Sequence, residues 1–190
     1  MNRKIFAFIG LVFFLVSCQH KSEQSKSIVK DSFQFAPVIE LLKADADEVI
    51  KTPYYLYCIK EQINQKKKDS TALSRAEFEK IIAPLLNISI NNKEYKEISF
   101  EDLSTESISF ITTSTSTSNP IKSITTLLDI ETKNLKSIYI VINHKNSDTI
   151  NQQQYFWNAG RSLTISSTTT LPTKKEIIEK TYINWNDIKN

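Results

Sequence analysis

Residues 121–158 read IKSITTLLDIETKNLKSIYIVINHKNSDTINQQQYFWN, and this stretch decides the predicted fold. Three runs rich in Ile, Thr, Tyr, Phe and Trp have the composition of β-strands, and polar segments separate them. The separating segments, residues 131–134 and 144–148, are too short for a parallel crossover, which needs about a dozen residues or more. The stretch therefore predicts consecutive antiparallel hairpins.

The same pattern extends over the C-terminal part of the chain and predicts an antiparallel meander. Six strands are expected, at residues 108–114, 121–130, 135–143, 149–158, 162–171 and 176–185, with two uncertain short ones at residues 88–90 and 98–100. Because successive strand residues point to opposite faces, Ile138, Ile140 and Ile142 share one face and are expected to pack on the core.

Three helices are predicted before the strands. Residues 35–50 carry their apolar side chains near one stripe. Pro53, preceded by a threonine, is typical of a helix start and predicts a second helix at residues 53–67. Ser74 and Glu77 form the S-x-x-E pattern of a capping box, which predicts that the third helix starts at Ser74.

The predicted fold class is α+β, with about three N-terminal helices packed on one face of a five- to seven-stranded antiparallel meander sheet. A single domain is expected at residues 33–190, helical over residues 33–87 and β-rich over residues 88–190. A domain of this length can bury a substantial hydrophobic core.

The N-terminus has a basic pair at residues 3–4, followed by an almost wholly apolar run at residues 5–16. This run is too short to span a bilayer, which needs about 20 residues. It ends in Leu15-Val16-Ser17-Cys18, which resembles the lipobox of bacterial lipoprotein precursors. The resemblance implies that residues 1–17 are a signal peptide and that the Cys18 thiol receives acyl groups such as palmitate.

Residues 18–32 are expected to form a flexible tether, because residues 19–27 contain no apolar side chain. Gln19 stands where many lipoproteins retained in the inner membrane have aspartate, so the same resemblance favours the outer membrane as the site of lipid anchoring in the cell envelope. The Asn-, Lys- and Ile-rich composition and the hairpin at residues 127–138 also resemble small lipoproteins of Bacteroidota, a likeness that implies no activity.

Charge and composition exclude several classes of protein. The chain has 24 basic and 21 acidic residues, and removal of the two basic residues in the signal peptide would leave 22 against 21. No dense stripe of Lys and Arg is interleaved with aromatic residues, so no nucleic-acid partner is expected. The two glycines, Gly10 and Gly160, cannot form a glycine-rich phosphate loop. Once Cys18 is acylated, Cys58 has no partner for an intramolecular disulfide.

No catalytic, metal or cofactor site is predicted, and the chain is not expected to be an enzyme. His144 lies in a predicted hairpin loop, and a zinc site or a Ser-His-Asp triad would need further partners. Cys58 falls within the second predicted helix and is expected to pack in the core. Asp45, Asp47 and Glu48 cluster on the first helix and are expected to form a solvated face.

Aromatic residues near the C-terminus form the candidate binding surface. Tyr155 and Trp157 share one face of a strand and oppose Phe156, so one of these sets is exposed unless both faces of the strand are buried. Tyr182 and Trp185, at the last predicted strand, complete the candidate surface.

The leading hypothesis is a membrane-anchored envelope lipoprotein that acts as a non-catalytic binding or assembly module. Its expected partners are the membrane, through acylated Cys18, and either another envelope protein or a hydrophobic ligand. Two alternatives stay open. Helices followed by an antiparallel sheet resemble small lipoproteins that carry lipid or another hydrophobic ligand in a half-barrel concavity. A hydrolase would require polar groups that converge around His144 or the carboxylates.

Overall fold

One antiparallel sheet and two α-helices make up the part of the chain that the computed structural model describes, residues 35–145 and 148–186. The predicted signal peptide and tether, residues 1–17 and 18–32, lie outside the described residues. In chain order the elements are α1 (Val38–Lys51), β1 (Tyr57–Gln62), a 3-10 turn (Ile63–Gln65), β2 (Lys67–Ala72), α2 (Arg75–Leu86), β3 (Tyr95–Asp102), β4 (Ser107–Ser114), β5 (Ile121–Asp129), β6 (Leu135–Lys145), β7 (Ile150–Asn158), β8 (Ser162–Thr170) and β9 (Glu176–Asn184).

The strands from β3 to β9 are neighbours in space in the same order as in the sequence. β1 pairs with β9 and β2 pairs with β1, so the order across the sheet is β2-β1-β9-β8-β7-β6-β5-β4-β3. The segment that contains α2 therefore connects β2, at one edge of the sheet, to β3 at the other edge.

The predicted fold class, about three helices on a five- to seven-stranded sheet, is wrong, because the described chain has two helices and nine strands. Residues 53–67, predicted as a helix, contain β1 and the turn after it. Leu56 and Ile59 have helical spacing, but an internal strand with apolar side chains on both faces produces the same spacing. The pairing of Cys58 with Ile183 of β9 decides the structure here, and no local pattern reveals it.

All six strands that the C-terminal pattern predicts are confirmed, with their ends shifted by at most two residues. Residues 98–100 lie within β3, whereas residues 88–90 are not part of a strand. The predicted core face of β6 is also confirmed, because Ile138, Ile140 and Ile142 are all buried.

The start of α2 is fixed by the predicted capping box, which is confirmed. The Glu77 backbone N–H donates to Ser74 Oγ at 3.3 Å, and the Ser74 backbone N–H donates to Glu77 Oε2 at 2.8 Å. Hydrogen bonds from the side chain and backbone of Ser74 hold the pKa of the Glu77 carboxyl below its ordinary value. Pro84 lies in the last turn of α2, which ends two residues later at Leu86.

Both helices pack on one face of the sheet, which we call the inner face; the opposite face is the outer face. The inner face supplies alternate residues of the strands to the core, as expected for a sheet with one covered face. The buried side chains include Val38, Leu42, Ala46 and Val49 of α1, Phe78, Ile82 and Leu85 of α2, and Cys58, Ile124, Ile138, Ile140, Tyr155, Trp157, Leu163 and Ile183 of the strands. In the described chain, neither helix has the length and apolar composition that crossing a membrane requires.

Candidate functional site

The four aromatic residues proposed as a binding surface are divided between two environments. Tyr155 and Trp157 lie on the inner face with 6% and 1% of their surface exposed, and Trp185 is buried in the same core at 5%. Tyr182 lies on the outer face and is half-buried. The exposed member of the Tyr-Phe-Trp triplet on β7 is Phe156, at 43%. Three of the four candidate residues are therefore core residues.

The buried rings of Phe78, Trp157 and Trp185 form a cluster between α2 and the sheet. The centroids of Phe78 and Trp157 are 6.3 Å apart, those of Phe78 and Trp185 are 5.6 Å apart, and those of the two indoles are 5.1 Å apart. The rings are tilted or edge-on to one another, arrangements that are favourable for aromatic pairs at these distances. The cluster joins α2 to the sheet.

Asp45 links α1 to the β7–β8 hairpin through two hydrogen bonds. The Trp157 indole N–H donates to Asp45 Oδ2 at 2.6 Å, and the backbone N–H of Gly160 donates to the same oxygen at 3.2 Å. Asp47, two residues away, instead pairs with Lys51 at 3.1 Å on the exposed side of the helix. The carboxylates that cluster in the sequence thus point to different surroundings, and Asp45 has a structural role.

Burial makes the side chains of Cys58 and Tyr155 harder to ionise. Cys58 is fully buried, and burial raises the pKa of its thiol, which disfavours the nucleophilic thiolate. Burial likewise raises the pKa of the Tyr155 phenol. Within the described residues, no group of three or more His, Cys, Asp or Glu side chains is placed to hold a metal ion.

His144 lies at the exposed end of β6 and lines an open cleft together with the Ser/Thr-rich hairpin between β4 and β5. Lys122 also lines this cleft, but its Nζ donates to the backbone carbonyls of Thr117 and Asn119. The lysine therefore fixes the shape of the hairpin, and its ammonium group already has hydrogen-bond acceptors.

The inner face is where a carried hydrophobic ligand would have to lie. Its apolar side chains meet the two helices, and Leu42, Phe78 and Ile82 have no exposed surface. Further along β7 and β8 the inner face becomes polar, with Gln153 paired to Ser167. In the described chain the apolar part of this face is thus occupied by the protein's own helices.

A continuous row of side chains crosses the outer face from β1 to β3. Its members are directly opposed in the register of successive strands, and we call them the outer row: Ile59, Tyr182, Thr164, Phe156, Tyr139, Thr125, Ile111 and Ile98. Phe156 and Ile98 are exposed at 43% and 62%, and the other members are half-buried. Because both described helices pack on the inner face, the outer row is apolar surface that the helices do not cover.

The central part of the outer face is uncharged. We define the outer patch as nine residues in three paired rows on β6, β7 and β8: Tyr139, Val141, Asn143, Gln152, Gln154, Phe156, Thr164, Ser166 and Thr168. All nine are exposed or half-buried. Charge begins at two margins of the patch: Lys145 follows Asn143 on the same face of β6, and Lys180 of β9 is opposite Ser166, with Glu61 of β1 on its other side.

Some polar side chains of the outer patch make no hydrogen bond within the described part of the protein. Within the described chain, the amides of Gln152 and Gln154 make no side-chain hydrogen bond, whereas Asn143 Oδ1 is a buried atom without a hydrogen-bond partner. On the inner face of β7, by contrast, Gln153 accepts a hydrogen bond from the Tyr155 hydroxyl at 2.8 Å. The amides of Gln152 and Gln154 are therefore free to bind water or a ligand.

The outer patch was not among the residues predicted from sequence, although the sequence contains a signal for it. Residues 149–160 and 162–173 include no charged side chain, in a protein with a formal net charge of +3 and charged residues along most of its length. Two adjacent strands without charge are unusual on a solvated face, because exposed strands ordinarily carry charged residues.

No family model matches this chain, and no curated protein or solved structure is similar to it.

Proposed function

We propose that this protein is a lipid-anchored lipoprotein of the bacterial cell envelope that acts as a non-catalytic binding or assembly module, with the outer patch as its binding surface. Acylated Cys18 would hold it in a membrane, the outer membrane by preference, because two or three acyl chains are enough for stable anchoring. The tether at residues 18–32 would separate the folded domain from the bilayer.

The observation that carries the binding role is the exposure of Phe156 beside Tyr139 on the face of the sheet away from the helices. Exposed apolar surface rimmed by polar groups is typical of interaction sites. The surface is also rigid, because β6, β7 and β8 lie inside a nine-stranded sheet with strands on both sides. A rigid surface loses little conformational freedom on binding, which favours affinity.

The anchor is tested by replacing the lipobox cysteine. Cys18→Ser is expected to abolish incorporation of labelled fatty acid and to move the protein out of the membrane fraction, because the serine hydroxyl does not replace the thiol that is acylated. The matched control is Cys58→Ser, which changes the buried cysteine and leaves labelling intact. Continued fatty-acid labelling of the Cys18→Ser protein would rule out the proposed anchor.

The binding surface is tested by photo-crosslinking in the producing bacterium. We expect p-benzoylphenylalanine at position 156, in place of Phe156, to give a discrete crosslinked adduct, because this group reacts with any C–H bond held against it. The control position is Tyr55, which is 71% exposed and lies outside the outer patch. Adducts at position 55 but none at position 156, or the same adducts at both, would contradict the assignment of the outer patch.

A further inference from the structure

We propose that the ligand of the outer patch is an uncharged polysaccharide chain, an inference that rests on the proposed binding role of this surface. The juxtaposition that points to it is a pair of aromatic rings beside the unpaired amides of Gln152 and Gln154 and several hydroxyls, at uncharged positions of three rigid strands.

The nine residues of the outer patch carry no charge, and Lys180 at its margin has Glu61 opposite it, which disfavours ionic ligands. Binding of nucleic acid requires Lys and Arg to neutralise phosphates, and binding of anionic lipid requires the same side chains. A cationic ligand would require carboxylates, and the nearest acidic side chain on these rows, Glu61, is opposite Lys180. Amides and hydroxyls pair best with ligands that are themselves neutral and rich in hydroxyl groups.

The two rings supply the apolar part of such recognition. Phe156 and Tyr139 are directly opposed on β7 and β6, so their Cβ atoms are separated by about 4.5–5.5 Å, as in cross-strand pairs generally. The faces of aromatic rings are electron-rich, and the C–H bonds on the face of a sugar ring are weakly positive, so that the two surfaces attract. The pair thus offers a platform on which a sugar ring can lie.

The polar side chains beside the rings supply the hydrogen bonds. Gln152 and Gln154 each present an amide that both donates and accepts, as a sugar hydroxyl does. Thr164, which is opposite Phe156 on β8, adds a hydroxyl beside the ring. Because strands are about 4.8 Å apart, the three strands of the patch span roughly two spacings, enough for a short oligosaccharide segment.

A protein partner fits the outer patch less well. Interfaces between proteins are depleted in serine and enriched in aromatic residues, methionine and arginine. The outer patch contains Ser166 and neither methionine nor arginine, so only its two aromatic rings match the composition of such interfaces. The composition instead favours a narrow, hydroxyl-rich ligand.

The ligand class is tested with the acylated full chain in vesicles of a neutral phospholipid and with fluorescently labelled polysaccharides. The neutral probes are an α-glucan, a β-glucan, a mannan and a galactan; the acidic probes are alginate and polygalacturonate. We expect retention of at least one neutral probe and of neither acidic probe. Phe156→Ala and Gln154→Ala are each expected to weaken retention about tenfold or more. Tyr55→Ala, which removes an exposed ring outside the patch, leaves retention unchanged.

Retention of no neutral probe, stronger retention of an acidic probe, or equal losses in Phe156→Ala and Tyr55→Ala would overturn the ligand class. The crosslinking experiment separates this failure from failure of the proposed function. A position-156 adduct without polysaccharide retention would leave the binding role standing and remove the ligand class. Absence of both would remove the binding role as well.

Discussion

Trp157→Ala is expected to lower the free energy of unfolding by about 3–5 kcal/mol, the usual cost of deleting a large buried aromatic side chain. The indole of Trp157 is 1% exposed, contacts the rings of Phe78 and Trp185, and donates to Asp45. Its removal leaves a cavity where α2 meets the sheet. Urea unfolding followed by far-ultraviolet circular dichroism measures the loss without relying on tryptophan fluorescence.

The matched control for this substitution is the neighbouring residue. Phe156→Ala removes a comparable ring from the opposite face of the same strand, where 43% of the side chain is exposed, and is expected to cost less than about 1 kcal/mol. Equal losses of stability in the two variants would mean that the inner and outer faces of β7 are assigned incorrectly.

Asp45→Ala is expected to lower the free energy of unfolding by about 1.5–3 kcal/mol, the range for hydrogen bonds to a charged group. The substitution removes the acceptor for the Trp157 indole N–H and for the Gly160 backbone N–H. The same urea unfolding experiment measures the change. Asp45→Asn is expected to lower the free energy of unfolding less than Asp45→Ala does, because the amide oxygen can still accept a hydrogen bond.

Asp47→Ala is the control for Asp45, because it removes a second carboxylate from the same helix. Asp47 pairs with Lys51 in an exposed i,i+4 ion pair, and such pairs contribute about 0.3–0.5 kcal/mol. If Asp47→Ala proved as costly as Asp45→Ala, helix charge rather than the bond to Trp157 would explain the loss.

The strands from β4 to β9 could be predicted because each is a short run with strand-forming residues between tight turns. The capping box of Ser74 and Glu77 could also be predicted, because both of its residues lie within four positions of sequence. In these segments the local pattern and the final structure agree, so that local signals alone were sufficient.

The hairpin of β1 and β2 could not be predicted, for two physical reasons. The Thr-Pro pair before it resembles a helix start, and apolar residues on both faces of β1 mimic a helical stripe. β2, with the sequence KKDSTA, is exposed along its whole length and has no apolar alternation to reveal it. Its strand structure depends on pairing with β1, which in turn depends on β9.

The candidate surface was located only in part, because periodicity shows which side chains share a face but not which face is covered. Period-two alternation separates Tyr155 and Trp157 from Phe156, yet both sets are apolar, and hydrophobicity alone does not show which set is buried. The face of β7 that is buried is the one on which α1 and α2 pack. The bond between Asp45 and Trp157 joins residues 112 positions apart, beyond the reach of any local pattern.

The pairing of β1 with β9 also constrains when the protein can fold. Gln62 and Glu179 meet across this pair although 117 positions separate them, so β1 cannot pair with β9 before residue 179 has been synthesised. Closing so long a loop before its contacts form slows this step of folding. For a chain proposed to cross a membrane behind a signal peptide, the sheet would therefore stay incomplete while the residues before β9 are being translated.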